Sequence, residues 1–447
     1  MSTGRRLASL LVVLSLIGAP AVVLRAFCAG NSCEQASART APVPFCSLDA
    51  PTRELVAAGF YSDRSPDALG VTGATQLVTD VGHGVLVPWP STASPGGFVP
   101  LVFFGGGVSP GTQVPGGLQL DQIAPTLEPL LGIRRPHPEV RAGRAIDGAT
   151  VPGATTPLAV MIVWKGVGMA EIRAAHPPYL GELLASDGGS DTLRVGAGGL
   201  AAPGSLPFDP AAVLATIGSG GLPSQHGITG TFLRAETGVA RAFGRDAPSP
   251  VIAALGDDLD RATGGRAKIA LVGTDVSDRG LIGGTWYGNA EDDAVFTDGT
   301  HTATHVRSLL GDGLGADGVP DLLGVVLGGR IADMDTQTRA IVAEIRRAVP
   351  DATFVVTATG TLTAGRDPVE AAADLMPSVE AAVTTAGSVL ATPPGTAGLF
   401  LDRTVAAELG ISTQQVVDAM KTRTAPDGSP LFADAFPSFA VQFGRYC

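Results

Sequence analysis

The sequence predicts an α/β protein whose mostly parallel sheet is covered by helices on both faces, with a small α+β lobe at its C-terminal end. Residues 158–364 alternate short strands rich in valine, isoleucine and leucine with amphipathic helical segments, which is the pattern of parallel βαβ units. The chain has 447 residues, enough to bury one large core. Apolar residues make up 45% of the chain and charged residues 16%, with 60 glycines and 34 prolines, a composition typical of a globular protein with many turns.

The N-terminal segment predicts export. Arg5 and Arg6 precede an uncharged apolar run at residues 7–24, in the order of a signal peptide. The run is also long enough to serve as an uncleaved membrane anchor. Residues 1–27 are therefore interpreted as a signal peptide or an anchor, and residues 28–50 as an extracellular tether. We expect a protein that is secreted or held at the cell surface through this segment.

The four cysteines lie at the two ends of the chain. Exported proteins fold in an oxidising compartment, where four cysteines allow three pairings. Because every cysteine lies in the N-terminal segment or at the C-terminus, we expect Cys46 to pair with Cys447 and Cys28 to pair with Cys33. A zinc site is the alternative, but the spacing offers no nearby histidine.

The segments before residue 158 predict a first block of short strands. Residues 51–146 hold apolar runs between glycine turns, of which FVPLVFFGGGV at 98–108 is typical of a buried strand with a glycine-rich exit. Residues 121–133 predict a helix that opens at an aspartate and stops at a glycine. Residues 147–157 are rich in glycine, alanine, threonine and proline and are interpreted as a linker.

The second block begins with a strand at residues 158–164. Further core strands are predicted at the apolar runs KIALVGTD, DLLGVVLGG and TFVVTATG, residues 268–275, 321–329 and 353–360. Residues 208–230 predict a turn, a helix start and a glycine-rich loop. Within residues 365–447, a hairpin at 387–403 and one helix at 404–420 predict the α+β lobe.

Two stretches of the chain resemble the alkaline phosphatase superfamily, in particular its phosphodiesterase and nucleotide pyrophosphatase branch. Residues 64–133, with a Gly-His-Gly turn before VPLVFFG and the helix DQIAPTLEPLLGI, are similar to the C-terminal part of that family. The strand at 158–168 and the segment PAAVLATIGSGGLPSQHGITG are similar to its opening strand and nucleophile loop. The part that is last in the family comes first here, so the resemblance implies a circular permutation joined at residues 147–157.

The resemblance implies two divalent cations, usually zinc, held by several Asp and His side chains beside a Thr or Ser nucleophile. Only His83 and either Thr216 or Ser219 stand in matching places. Lys165 takes the place of the aspartate at the end of the opening strand, and the segments at 328–335 and 357–361 lack the expected histidines. No metal cofactor is therefore expected, with His83 and Asp80 as the weak candidate ligands if zinc or another divalent metal does bind.

Lys165 predicts either an anion site or an internal ion pair. An ammonium group there could attract a phosphate directly, together with the helix start and backbone N–H groups of residues 218–221, including Ser219 and Gly220. The alternative is that it pairs with an acid such as Asp275. Asp275 and Asp278 follow a strand and are candidate ligand-binding residues, or else caps of the next turn.

Other polar residues of the second block are expected to be structural. His226, in the nucleophile-like loop, is more plausible as a buried structural histidine. Asp333 and Asp335 fit the first turn of a helix, where the helix dipole favours carboxylates.

These residues lead to two functional hypotheses, beside the alternative of a purely structural role at the cell surface. In the first, the protein is a non-catalytic or weakly active phosphohydrolase relative that binds a phosphate, a phosphoester or a protein partner. In the second, it is an active metallo-phosphodiesterase or phosphatase with a rearranged site, or a metal-free one that uses Thr216 and Lys165. A net charge of −12 excludes nucleic acid as the main partner. We expect Lys165, Thr216 and His83 to converge on one crevice at the carboxyl ends of the strands.

Overall fold

A mixed, mostly parallel sheet organises the fold. The computed structural model describes residues 43–447 apart from 83–84, 93–96, 110–116, 186–191, 195–198, 284–285, 287–292, 298, 300 and 362–369. Its strands are β1 (Ala68–Thr72), β2 (Val78–Gly82), β3 (Val85–Pro88), β4 (Val99–Gly105), β5 (Leu118–Gln119), β6 (Leu158–Trp164), β7 (Thr192–Arg194), β8 (Leu200–Ala202), β9 (Phe232–Ala235), β10 (Gly238–Arg241), β11 (Ile269–Gly273), β12 (Asp293–Phe296), β13 (Asp321–Leu327), β14 (Thr353–Ala358), β15 (Glu370–Ala371) and β16 (Phe432–Pro437).

Helices connect these strands. The α-helices are α1 (Ala50–Gly59), α2 (Ile123–Leu127), α3 (Met169–Ala175), α4 (Pro178–Ala185), α5 (Pro210–Ser219), α6 (Pro223–His226), α7 (Leu255–Thr263), α8 (Thr302–Gly311), α9 (Ile331–Ala348), α10 (Ala372–Val383), α11 (Arg403–Leu409) and α12 (Thr413–Lys421). Short 3₁₀ helices cover Leu120–Gln122, Pro138–Val140, Val276–Leu281 and Ser438–Tyr446. None of the helices in the described ranges is long and apolar enough to cross a membrane.

The central sheet has the strand order β12-β11-β13-β6-β14-β4-β8-β5, and β7 also pairs with β4. The first five of these strands run parallel to one another, whereas β4 is antiparallel to β14, β7 and β8. Every residue of β6 and of β13 is buried, so both faces of the sheet are covered at its centre. The predicted α/β class with a mostly parallel sheet is confirmed.

The first sequence block contributes to this sheet only in part. β4 pairs with β14 from Gly105 opposite Thr353 to Leu101 opposite Thr357, and the rings of Phe104 and Phe354 stack at 4.9 Å. The permuted arrangement predicts that residues 64–146 complete the same sheet as residues 158–360, and for β4 this prediction is confirmed. The same prediction is wrong for β1, β2 and β3, which lie in two other sheets. β1 pairs with β16, and β2 pairs with β3 and β15.

A second core holds these outer strands against the C-terminal residues. Trp89 and Phe432 pack with their ring centroids 5.6 Å apart, in a cluster that includes Val416 and Met420 of α12. The single helix predicted for residues 404–420 is wrong: Gly410, at φ 65°, ends α11. A left-handed glycine satisfies the last carbonyls of a helix at little steric cost, so the chain stops there and restarts in α12.

The two ends of the described chain meet at a disulfide. Cys46 and Cys447 are bonded across a sequence separation of 401 residues, which confirms the expected pairing. Next to it, the Phe45 backbone N–H and the Ser47 hydroxyl donate to Oδ2 of Asp434 at 2.8 and 2.6 Å. The predicted pair of Cys28 and Cys33 lies outside the described residues.

Asp121, in the 3₁₀ turn before α2, is a buried carboxylate that the fold leaves incompletely paired. It is 3% exposed, and within the described ranges its Oδ1 has no hydrogen-bond partner. Burial raises its pKa to about 6, although its own backbone N–H and the charge of Arg144 oppose that rise. A carboxyl whose pKa is raised by folding contributes stability below its unfolded pKa, and that contribution is lost as the pH rises through the folded value.

We therefore expect Asp121→Asn to stabilise the protein at high pH. A shift of this size corresponds to about 3 kcal/mol in the free energy of unfolding at about pH 8, and the difference should shrink towards zero at about pH 4. Urea unfolding of wild type and variant at both pH values measures it, with the exposed Asp246→Asn as control. An equal effect of Asp121→Asn at the two pH values would contradict the expectation.

Candidate functional site

Lys165 lies at the carboxyl edge of the sheet, immediately after β6. Its backbone N–H donates to the Leu327 carbonyl at 2.8 Å, and its side chain is only 4% exposed. The ammonium Nζ donates to Oδ1 of Asp278 at 2.6 Å and to the Thr274 hydroxyl at 3.1 Å. β13 lies between β6 and β11 in the sheet, so this contact joins the ends of two strands that are not neighbours. Lys165 is therefore one half of a buried ion pair.

Both carboxylate oxygens of Asp278 accept hydrogen bonds in this arrangement. While Oδ1 receives the ammonium, Oδ2 accepts from the Thr274 N–H at 2.7 Å, the Thr274 hydroxyl at 2.9 Å and the Asp275 N–H at 3.1 Å. The side chain is completely buried. Of the two possibilities for Lys165, the structure shows the internal ion pair, and the partner is Asp278 instead of Asp275.

Asp275 begins the 3₁₀ helix Val276–Leu281. Its Oδ1 accepts from the Ser277 N–H at 3.0 Å and the Ser277 hydroxyl at 2.7 Å, and its Oδ2 pairs with Arg241 of β10. Burial raises the pKa of Asp275, but the Ser277 hydrogen bonds and the charges of Arg241 and Lys165 outweigh it, so the pKa lies below its ordinary value. The capping role that the sequence offered as an alternative is the one observed.

Thr216 lies inside α5 and contacts His226. Its hydroxyl is 3.1 Å from Nε2 of His226, and the Ile228 N–H donates to Nδ1 of the same ring at 3.1 Å. Nδ1 is thus the acceptor, and Nε2 carries the proton that is donated to Thr216. Burial, with a smaller contribution from the charge of Arg64, lowers the pKa of His226 to about 3. The imidazole faces Thr216 with a proton already in place, so it cannot serve as a base that activates this hydroxyl.

Ser219 and Gly220 end α5 and do not begin a helix. Asp209 caps the start of α5 through the Ala211 N–H at 2.9 Å, whereas Gly220, at φ 75°, closes its last turn. The end of a helix presents carbonyl groups, which repel anions. The helix start expected at residues 218–221 is therefore wrong, and the anion site predicted there loses that support and stays a prediction. The Ser219 carbonyl instead accepts from Arg135 Nη1 at 2.9 Å and Arg141 Nε at 3.0 Å.

Asp209, which precedes α5 and caps it, interacts electrostatically with Lys165 and was not identified from the sequence. Burial raises its pKa, while hydrogen bonds from Thr231 and Ala211 and the charge of Lys165 act in the opposite direction. The Asp-Pro pair at 209–210 is a helix-start signal that could have placed this carboxylate at the edge of the sheet. The expected crevice of Lys165, Thr216 and His83 cannot be assembled from the described residues, because His83 lies outside them.

Of the two aspartates after β13, Asp333 lies at the start of the following helix, α9, as predicted, whereas Asp335 lies beyond its first turn. Asp335 accepts from the N–H groups of Tyr179 and Leu180 at 3.0 and 2.8 Å, and so caps the start of α4.

In the part of the chain that the structure describes, no three His, Cys, Asp or Glu side chains lie close enough together to hold a metal ion. The side chains of His83 and Asp80, the weak candidates, lie outside that part; the backbone of Asp80 belongs to β2. Comparison of the chain with known protein families, curated proteins and solved structures gives no match.

Proposed function

We propose that this chain is a non-catalytic, exported relative of the alkaline phosphatase superfamily, circularly permuted and nearest to the phosphodiesterase and nucleotide pyrophosphatase branch. It would use the scaffold to bind an anionic ligand or a protein partner outside the cell. The observation that carries the proposal is the buried ion pair of Lys165 and Asp278, at 2.6 Å, at the sheet edge where the resemblance implies metal binding.

The described side chains at this edge do not fit a two-metal centre. An ammonium group repels divalent cations, and replacing a carboxylate by it reverses the local charge by two units. Asp278 is held by Lys165, and Asp275 is held by Arg241. Each acid that follows β11 therefore already has a cationic partner supplied by the protein itself.

Two further observations support the permuted arrangement and export. β4, from the block that would come last in the family, pairs with β14 from the block that would come first, within one sheet. The connecting residues pack along both blocks, since the Val151 N–H donates to the Gly107 carbonyl and the Thr156 hydroxyl to the Asp351 carbonyl. The disulfide of Cys46 and Cys447 is the kind of bond that persists in an oxidising compartment.

The test is metal analysis combined with hydrolysis assays. We expect the purified protein to contain no stoichiometric zinc and to hydrolyse neither monoester nor diester phosphates in the presence of added zinc. Lys165→Asp, which restores the family's residue at one position, should remain inactive because residues 328–335 and 357–361 still lack histidine. Stoichiometric zinc, or diesterase activity that a chelator abolishes, would instead support an active enzyme with a rearranged site.

A further inference from the structure

Four arginines surround a cleft on the outside of the fold, away from Lys165. The cavity has a volume of about 450 Å³ and is lined by Arg134, Arg135, Arg141 and Arg144, together with Glu128 and Ile133. A volume of this size fits a small molecule. The cleft is unusual for a chain with a net charge of −12.

Two of the arginines are buried and fixed around one carboxylate. Arg135 Nε and Arg141 Nη2 both donate to Oδ2 of Asp258, at 2.7 and 3.4 Å, and all three side chains are at most 5% exposed. Other N–H groups of both guanidinium groups donate to the carbonyls of Ser219 and Ala253. The two guanidinium groups and the carboxylate thus form one fixed, buried cluster in the wall of the cleft.

The other two arginines lie at the opening. Arg144 is held in place by its Nη1, which donates to the carbonyls of Arg141 at 2.7 Å and Gly143 at 2.8 Å. Its Nε and Nη2 make no hydrogen bond within the described ranges. Arg134 is exposed and forms neither a hydrogen bond nor an ion pair through its side chain with the described residues. These donors are available to a ligand, and a guanidinium fork matches the two oxygens of a phosphate or carboxylate.

The acidic groups near the cleft leave the outward-facing donors of Arg134 and Arg144 without a partner among the described residues. Asp258 is shared by the two buried arginines, and Glu128 accepts the Arg135 backbone N–H at 2.9 Å. Glu139 and Asp121 also lie near the arginines, since its own backbone N–H and, more weakly, the charge of Arg141 lower the pKa of Glu139, and the charge of Arg144 opposes the rise that burial causes in the pKa of Asp121. Four carboxylates therefore accompany the four guanidinium groups. Asp121 lies behind Gly143, its carbonyl packed against that glycine.

We propose that this cleft binds a small ligand with a multiply charged oxyanion, either a phosphate group or a polycarboxylate, and that Arg134 and Arg144 contact it directly. Arg135 and Arg141 are positioning residues that keep the wall of the cleft rigid. The site is separate from the carboxyl edge of the sheet, so it stands whether or not the protein proves to be a hydrolase.

Isothermal titration calorimetry of the full protein with pyrophosphate, inorganic phosphate and citrate tests the site. We expect saturable binding of at least one of them, weakened by added salt. Arg134→Ala should raise the Kd about tenfold or more, as expected when one charged hydrogen bond is lost. Arg134→Lys should recover only part of the affinity because it keeps the charge and loses the fork. Arg245→Ala, an exposed arginine outside the cleft, is the matched control and should leave the Kd unchanged.

The three ligands separate the two sources of the oxyanion. Tighter binding of pyrophosphate and phosphate assigns the cleft to a phosphate group, and tighter binding of citrate assigns it to a polycarboxylate. The proposal is overturned if none of the three binds saturably, or if Arg134→Ala and Arg245→Ala change the Kd equally. Binding of an acidic peptide without binding of any of these small anions would overturn it as well.

Discussion

Replacing Lys165 by alanine is expected to lower the free energy of unfolding by about 3–5 kcal/mol, because it leaves the carboxylate of Asp278 buried without its cationic partner. The contact is short, at 2.6 Å, and the two side chains are 4% and 0% exposed, so water cannot replace the ammonium group. Urea unfolding of wild type and variant at neutral pH measures the difference.

The double variant Lys165→Met with Asp278→Leu separates the loss of the pair from the loss of packing. Removing both charges together removes the cost of an unpaired buried ion, and such replacements are often neutral. We therefore expect the double variant to recover most of the stability lost in Lys165→Ala. Lys268→Ala is the matched control, because Lys268 donates to the Asp312 carbonyl near the surface, and its loss should cost less than about 1 kcal/mol. A Lys165→Ala variant as stable as Lys268→Ala would mean that the ion pair does not hold this edge together.

Removing the disulfide of Cys46 and Cys447 is expected to have an effect of similar or larger size. The bond closes a loop with a sequence separation of 401 residues, so it restricts nearly the whole described chain in the unfolded state. Loop-closure entropy gives about 6 kcal/mol for so long a loop. The variant with serine at both positions should unfold at a correspondingly lower urea concentration than the oxidised wild type.

The matched control for the disulfide is the pair of serine substitutions at Cys28 and Cys33. A bond between these two would close only a short loop, so its removal should cost much less. If both double variants lost the same stability, the long loop would not be the source of the effect. Peptide mapping without reduction verifies that Cys46 and Cys447 are joined in the wild-type protein.

Local patterns in the chain were sufficient for the class of fold and for several individual elements. The apolar runs at residues 158–164, 321–329 and 353–360 identified β6, β13 and β14, because a strand buried on both faces needs apolar residues at every position. The position of the cysteines at the two ends indicated the pairing of Cys46 with Cys447. The Pro-x-x-His-Gly segment placed His226 in a structural role, which its two hydrogen bonds explain.

The sequence did not determine which distant groups meet. The partner of Lys165 is 113 residues away, and only the turn of the 3₁₀ helix Val276–Leu281 brings Asp278 to it while Asp275 points to Arg241. The pairing of β1 with β16 equally joins distant parts of the chain, and an apolar strand carries no local mark of its partner.

The sequence by itself thus settled the α/β class, the main parallel strands and the covalent closure of the chain, because periodicity and residue type report burial and secondary structure locally. Tertiary structure alone decided that the end of β6 is a closed ion pair, that residues 218–221 finish α5, and that Arg135 and Arg141 share Asp258. The physical reason is that the energy of a charge or of a helix end depends on the groups that surround it in space, and the order of residues along the chain does not specify those neighbours.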